Sequence, residues 1–381
     1  MHPELNSIFT LITALCAESA SMIPTHLFPE GPLIAEAFLT ASRNSLLEYL
    51  ESDMENPNAT SVAIRYFHSN CLHAAGKPRF SWHIFGEAAR LAQMMRLYDE
   101  SSYEGLDSIE AELRRRAFWI LYIGDKSAAI LNNRPITIHK FNFESGITAS
   151  YPSEVDIHHP NSPQIASTET QSIMTGFNFN IRLWQAAADF LLELRLALST
   201  VNPNKPNILT PEQRSKLDYL YIQFMTCLDS LPAFLQLDPG AYGHVEDTAS
   251  PREYLIQSVN LRVSFHCLKM VITQKFESIE FSSSNVGIEQ SNRLALRKTE
   301  IARDMIRAIR EPPFWALQVN GESCVEKIRL IGASLLEVIH TNKDSPLATR
   351  ARSEFVVLLD VLTRLDSRAS DALRDGSSWQ G

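Results

Sequence analysis

Apolar positions recur along this chain with the 3.6-residue helical period, and no stretch alternates apolar and polar residues as a half-buried strand does. The clearest pattern spans 80–135. In its first half Trp82, Phe85, Ala89 and Ala92 follow one helical face, while Ile84, Ala88, Leu91, Met95 and Tyr98 follow another. A helix apolar on two faces is predicted to be buried on both. An acidic connector with Ser and Gly comes next. In the second half Glu110 and Arg114, and likewise Glu112 and Arg116, stand at the i,i+4 spacing of helical ion pairs. From 117 to 131 the pattern is apolar nearly all round except at Asp125, Lys126 and Ser127, so this helix is expected to start in solvent and run into the core.

Other helices follow from the same periodicity. Pro3, Leu5, Ile8, Ile12 and Leu15 predict an N-terminal amphipathic helix whose apolar stripe faces the core. The apolar run 8–17 lacks a basic leader and is too short to span a bilayer, so no membrane partner is expected. Pro32 opens a helix carried to the Asn56-Pro57 break, and 61–75 stops at Gly76. Helices are predicted again over 169–199, with Phe190, Leu191, Leu194 and Leu198 on its core face, and from the Thr210-Pro211-Glu212 start to 237, interrupted near Pro232. Ser250-Pro251 opens a long helix to Phe276 with a stripe of Leu255, Val259, Val263, His266 and Met270, and three more patterns cover 289–310, 322–341 and 347–373. Between 136 and 168, prolines and hydroxyl residues replace periodicity and predict a long loop. The expected fold class is therefore all-α: one large multi-helical domain over 1–373, a helical array around a buried central helix pair, with a flexible tail at 374–381. Two fused helical layers are the other arrangement that this length allows.

Charge and cysteine content narrow the chemistry. A formal net charge of −9 and a pI near 5.7 argue against the chain itself gripping a phosphate backbone. Cys16, Cys71, Cys227, Cys267 and Cys324 lie far apart with no Cys-x-x-Cys pair, which predicts free thiols and no structural zinc. His158 and His159 are adjacent and point apart with no third ligand nearby, so they read as loop residues. No phosphate loop, nucleophile elbow or His-Glu-x-x-His helix occurs, and the chain is not expected to be an enzyme. Three successive arginines, Arg114, Arg115 and Arg116, fan out around a helix and cannot converge on one ligand, which predicts a scaffold role. Asp125, costly in an apolar stretch unless paired, is expected to take Arg134 as its partner and so hold the following loop on the core.

The residues of the central stretch resemble a known signature. Arg90, Leu91, Ala92 and Gln93, then Glu112, Arg114, Arg115, Arg116 and Trp119, then Asp125 and Lys126, then Asn133, Arg134 and Pro135 follow the order and spacing of the middle homology region of fungal binuclear zinc-cluster transcription factors. Lys126 stands where that family usually has Arg, and Asn133 where it has Gly; Asn tolerates a left-handed backbone, so the second change is mild. Phe265-His266 resembles an aromatic-His pair of the same family. The resemblance implies a regulatory, effector-sensing domain of a transcription regulator controlling a metabolic or secondary-metabolite gene set, placed in the nucleus. Its implied partners are co-regulators or the transcription machinery and a small-molecule effector, with room for a homodimer. DNA would be reached only through the family's Cys-rich zinc-cluster module, which these residues do not include, so no cofactor is expected here. The alternative is a stand-alone small-molecule binder or enzyme that kept the scaffold, with Trp82, Tyr122, Trp184 and His266 lining a cavity.

Overall fold

The computed structural model describes residues 3–25, 27–153, 172–199, 209–236, 252–280, 288–343 and 345–365, and no strand occurs among them. The chain divides into two compact units, Met1–Ile181 and Arg182–Gly381, both built from helices as the periodicity predicts.

The first unit contains α1 (Pro3–Met22), α2 (Gly31–Glu48), α3 (Leu50–Glu55), α4 (Ala59–Ala74), α5 (Pro78–Met94), α6 (Ser108–Leu131) and the start of α7 (Ile173–Ser199). α1 packs on α2 and α4, and α4 packs in turn on α5 and α6. The orientation of α1 reverses the expectation. Leu5, Ile8, Ile12 and Leu15 are 48–59% exposed, whereas Thr10, Thr13, Ala14, Ala17 and Ala20 are buried. Small inward side chains let the helices approach closely, and hydroxyls fill the seam: Thr10 Oγ1 donates to Ser45 Oγ (2.9 Å), and Ser42 Oγ donates to the Thr10 carbonyl (2.8 Å). Ser42 Oγ also lies 2.7 Å from His68 Nε2 of α4. With its proton given to Thr10, the hydroxyl accepts from His68, which requires the Nε2–H tautomer. Burial, with Arg43 and Arg65 nearby, lowers the His68 pKa to about 3, so the ring is neutral.

The helix expected from Pro32 to Asn56 breaks at Tyr49 (φ −129°, ψ 19°), and α3 starts anew. That break brings Asp53 to the buried Arg65 of α4 at 2.7 Å, with Ser61 Oγ donating to Asp53 Oδ1 at 2.6 Å. A guanidinium only 1% exposed would be strongly destabilising without this carboxylate. α4 begins at a reciprocal Asn58–Ser61 cap and ends before Gly76, whose φ of 73° suits only glycine well.

The second unit holds the rest of α7, then α8 (Pro211–Thr226), α9 (Arg252–Glu280), α10 (Ile288–Arg310), the short α11 (Phe314–Gln318), α12 (Gly321–Thr341) and α13 (Pro346–Arg364). α9 is central, packed by α10, α11 and α12, and α13 covers α10 and α12. Val259, Val263 and Met270 of the predicted stripe are fully buried, facing a core that includes Ile301, Met305, Ile328, Ile331 and Leu358. The Thr210 cap forms as read, reciprocally with Gln213. α11 has no counterpart in the periodicity because a five-residue helix is shorter than two turns. The five cysteines are free thiols. Residues 154–168 of the expected loop, with His158 and His159, the Ser250-Pro251 cap, and the tail at 374–381 lie outside the described residues.

Candidate functional site

α5 and α6 form the buried centre of the first unit and meet at Gly124. A Cβ there would stand 2.7 Å from Phe85 Cε2, and Phe85 is itself stacked on Trp82 (5.4 Å, 10°), so only hydrogen fits between the helices. Phe118, Trp119, Leu121 and Tyr122 of α6 are all buried. After α6 the chain reverses at Asn133, whose φ of 52° realises the left-handed turn for which Asn is suited. It then runs back along α6, passing Asp125, Trp119 and Glu112 in turn, as a strap from Thr137 to Ser153.

Three polar anchors hold that strap. At the first, Asp125 Oδ1 accepts from the Thr137 N–H (2.8 Å) and hydroxyl (2.5 Å), and Oδ2 accepts from the Ile138 N–H (3.1 Å) and Lys126 Nζ (2.9 Å). Lys126 Nζ also donates to the Ile138 carbonyl and lies 4.4 Å over the Tyr122 ring. Both Asp125 and Lys126 side chains are 0% exposed. The expected Asp125–Arg134 ion pair is therefore not the arrangement. The strap presents backbone N–H groups that need an acceptor, and the neighbouring Lys126 neutralises the carboxylate, while Arg134 lies over the Trp82 ring at 5.8 Å. Gln93 of α5 donates to the Thr137 carbonyl at 3.2 Å.

The second anchor is Trp119 Nε1, which donates to the Ser150 carbonyl at 2.7 Å. Beside it Glu100 Oε2 accepts from the Ser150 N–H (2.8 Å), and Glu100 Oε1 accepts from Arg115 Nε (3.0 Å) and Nη2. Burial pushes the Glu100 pKa up, but Arg115 and the Ser150 N–H outweigh it and hold the carboxyl below its ordinary value. The third anchor is Glu112, buried to 4% exposure, whose Oε1 accepts from Arg116 Nε and from the Ser153 N–H, both at 3.0 Å. Tyr98 supports the strap from below: its carbonyl takes the Thr148 and Ala149 N–H groups, and its ring stacks on Phe143 at 3.7 Å.

The three arginines thus diverge, as the helical geometry requires. Arg114 goes to Glu110 (2.6 Å), which also accepts the Ala59 N–H of α4; Arg115 goes to Glu100, and Arg116 to Glu112. Of the other signature residues, Arg90 and Pro135 are exposed and Gln93 is half-buried. Glu100, Gly124, Thr137 and Ser150 belong to this site and were not singled out from sequence; Lys126, read there only as a signature position inside an apolar run, proves to be the partner of Asp125.

The residues named for a cavity are distributed over both units. Trp82 and Tyr122 belong to the α5–α6 core. Trp184, in the second unit, is buried beneath Lys327, whose Nζ lies 5.7 Å from its ring and 3.1 Å from Asn260 Oδ1. Burial lowers the Lys327 pKa. His266 on α9 meets Phe265 edge to face at 5.5 Å, and burial, more than any neighbouring charge, lowers its pKa to about 4. Among the described residues no group of three His, Cys, Asp or Glu side chains is placed to hold a metal.

The geometry defines an all-helical scaffold whose central charges fasten its own chain. The fungal specific transcription factor domain matches residues 32–229, just over half of the sequence, and the chain belongs to that family. It is 31% identical over 93 residues to an ABC-transporter-regulating transcription factor of Aspergillus oryzae, covering 24% of this chain and 10% of that protein. A citrinin biosynthesis transcriptional activator of Monascus ruber is 27% identical over 139 residues, 35% of this chain and 25% of that protein. An ascochitine biosynthesis cluster transcriptional regulator of Didymella fabae is 37% identical over 67 residues, 16% of this chain and 12% of that protein. The chain thus matches at most a quarter of the length of these relatives. No solved structure shows a significant match.

Proposed function

We propose that this chain is the regulatory body of a transcription regulator that controls a biosynthetic or efflux gene set, acting through protein contacts and without itself holding DNA. One observation carries the reading: the three consecutive arginines of α6, the densest positive run near the signature, are each neutralised by a separate carboxylate of the same unit. Phosphate contact needs cations that converge and remain exposed, and a chain of net charge −9 supplies neither here. Family membership supports a role in transcription, and the named functions of the relatives supply the kind of genes. Its partners would be co-regulators or the transcription machinery, with a small-molecule effector as the input, and its place of action the nucleus.

Tethering tests this. Fused to an unrelated DNA-binding domain in a fungal host, the chain should change expression of a reporter carrying that domain's site. The purified chain should show no salt-dependent affinity for duplex DNA. A silent fusion in the nucleus, or DNA binding that weakens steeply with salt and with Arg114→Gln, would overturn the proposal.

A further inference from the structure

Among the described residues the lysines Lys126, Lys298 and Lys327 are buried, and the first two meet a carboxylate. Lys126 pairs with Asp125 at 2.9 Å, and Lys298 with Glu337 at 3.0 Å. Lys327 of α12, only 4% exposed, has no carboxylate at ion-pair distance among the described residues. Its Nζ donates to Asn260 Oδ1 of α9 at 3.1 Å and lies 5.7 Å from the Trp184 ring of α7. The titratable groups that act on it are the Cys324 and Cys267 thiols and, after them, Glu326. An ammonium carries three donors, so two of these have no acceptor among the described residues. The amide beside it is in the same position. Asn260 Oδ1 accepts from Lys327 and from the Ser264 hydroxyl (3.3 Å), which turns Nδ2 away from both with no acceptor of its own. The second unit thus holds an excess of donors around one buried charge, an arrangement that costs stability unless an acceptor completes it.

We infer that Lys327 and Asn260 anchor a small-molecule site whose ligand is a monocarboxylate with an aromatic or apolar body. The inference rests on the proposed reading of a small-molecule effector as the input, and names the chemical class of that effector. The head group follows from the donors. A carboxylate only accepts, and its two oxygens suit one ammonium and one amide N–H. One ammonium matches one negative charge, whereas the second charge of a phosphate would be left buried and unpaired. The body follows from the surround. Trp184 is 1% exposed, and Cys267 and Cys324 are 0% and 2% exposed. Burial pushes both thiols up to about 12, so they stay protonated and act as small apolar groups. Asn260 alone of these residues is half-buried, which makes its amide the point of entry. A purely structural role explains Lys327 less well, because Lys126 and Lys298 show how this chain secures a lysine that serves its own packing.

Calorimetric titration and thermal denaturation of the full chain with benzoate, and with benzamide as its neutral counterpart, test the site. Benzoate should bind with a dissociation constant of about 1 mM or tighter and raise the melting temperature, and benzamide should do neither. Lys327→Met should weaken benzoate about 10- to 100-fold, yet leave the ligand-free chain at least as stable as the native one, because it removes a buried charge that has no counter-ion. Should that variant fail to fold, Asn260→Asp decides. It sets a carboxylate of the chain's own against Lys327, so it should raise stability and block benzoate. A native chain indifferent to benzoate up to about 10 mM, an equal response to benzamide, or benzoate binding that survives in Asn260→Asp overturns the inference. The regulatory reading fails separately: no benzoate response with an active tethered reporter sinks this site alone, and a silent reporter with the benzoate response intact sinks that reading alone.

Discussion

Asp125 receives both the backbone N–H and the hydroxyl of Thr137, at 2.8 and 2.5 Å, twelve residues further along the chain. Around that pair the buried Lys126 closes a four-way clasp in which one helix carboxylate satisfies two strap amides, a hydroxyl and an ammonium. The charged signature of α6 is thereby part of the packing of its own unit.

Removing the charge should be expensive. Asp125→Asn leaves Lys126 buried without its counter-ion, and breaking a buried pair from one side costs about 3–5 kcal/mol. Urea denaturation should report a loss of that size together with faster proteolysis within 137–153. Arg134→Ala, which removes only a cation–π contact over Trp82, should cost about 1 kcal/mol or less. Equal losses from the two variants would mean that Arg134, not Lys126, is the working partner.

Gly124→Ala adds a methyl where Phe85 has no room to retreat from Trp82. Overpacking at such a crossing costs about 1–3 kcal/mol. Gly86, whose Cβ would meet nothing within 4 Å, is the control: Gly86→Ala should be neutral or slightly stabilising by thermal denaturation, since it improves helix propensity.

Glu100→Gln should weaken the strap beside its second anchor alone, leaving the Trp119–Ser150 bond in place. Hydrogen exchange is expected to accelerate at Ser150, which loses its charged acceptor, and to stay slow at Ala149, held by the Tyr98 carbonyl, and at Ile138, held by Asp125. Because the Glu100 pKa is lowered on folding, its contribution is present above the ordinary carboxylate pKa and disappears as pH falls through the folded value.

Histidine sets a second pH dependence. The His68 and His266 pKa values fall to about 3 and about 4 on folding, so the unfolded chain binds protons that the folded chain refuses. Stability is complete above about pH 6.5 and drops as pH falls from there toward 4. His266 is surrounded by Asp304, Lys269, Arg262 and Arg307, and its Nδ1 has no hydrogen-bond partner. His266→Phe should therefore keep stability at pH 7 and reduce the loss at pH 5 by on the order of 1–2 kcal/mol. An unchanged pH slope in that variant would place the titration elsewhere.

Local rules made much of this fold legible. The i,i+4 pairs Glu110–Arg114 and Glu112–Arg116, the Gly76 stop, the Asn133 turn and the Thr210 cap each depend on residues within one turn, and each forms as read. What periodicity does not encode is which face of an apolar helix a neighbour will cover. α1 has large side chains on one face and small or hydroxyl-bearing ones on the other, and close packing against Ser42 and Ser45 selects the small face. The partner of Asp125 was similarly hidden, because backbone amides of an irregular strap leave no mark in sequence. Gly124 looked like any helix glycine until Phe85 was seen against it.

The most direct test of the clasp is amide hydrogen exchange at Thr137 and Ile138 in the native chain and in Asp125→Asn. Protection comparable to the α6 core in the native protein, lost in the variant while α6 itself stays protected, is the predicted result. Exchange at open-loop rates in the native protein would contradict it.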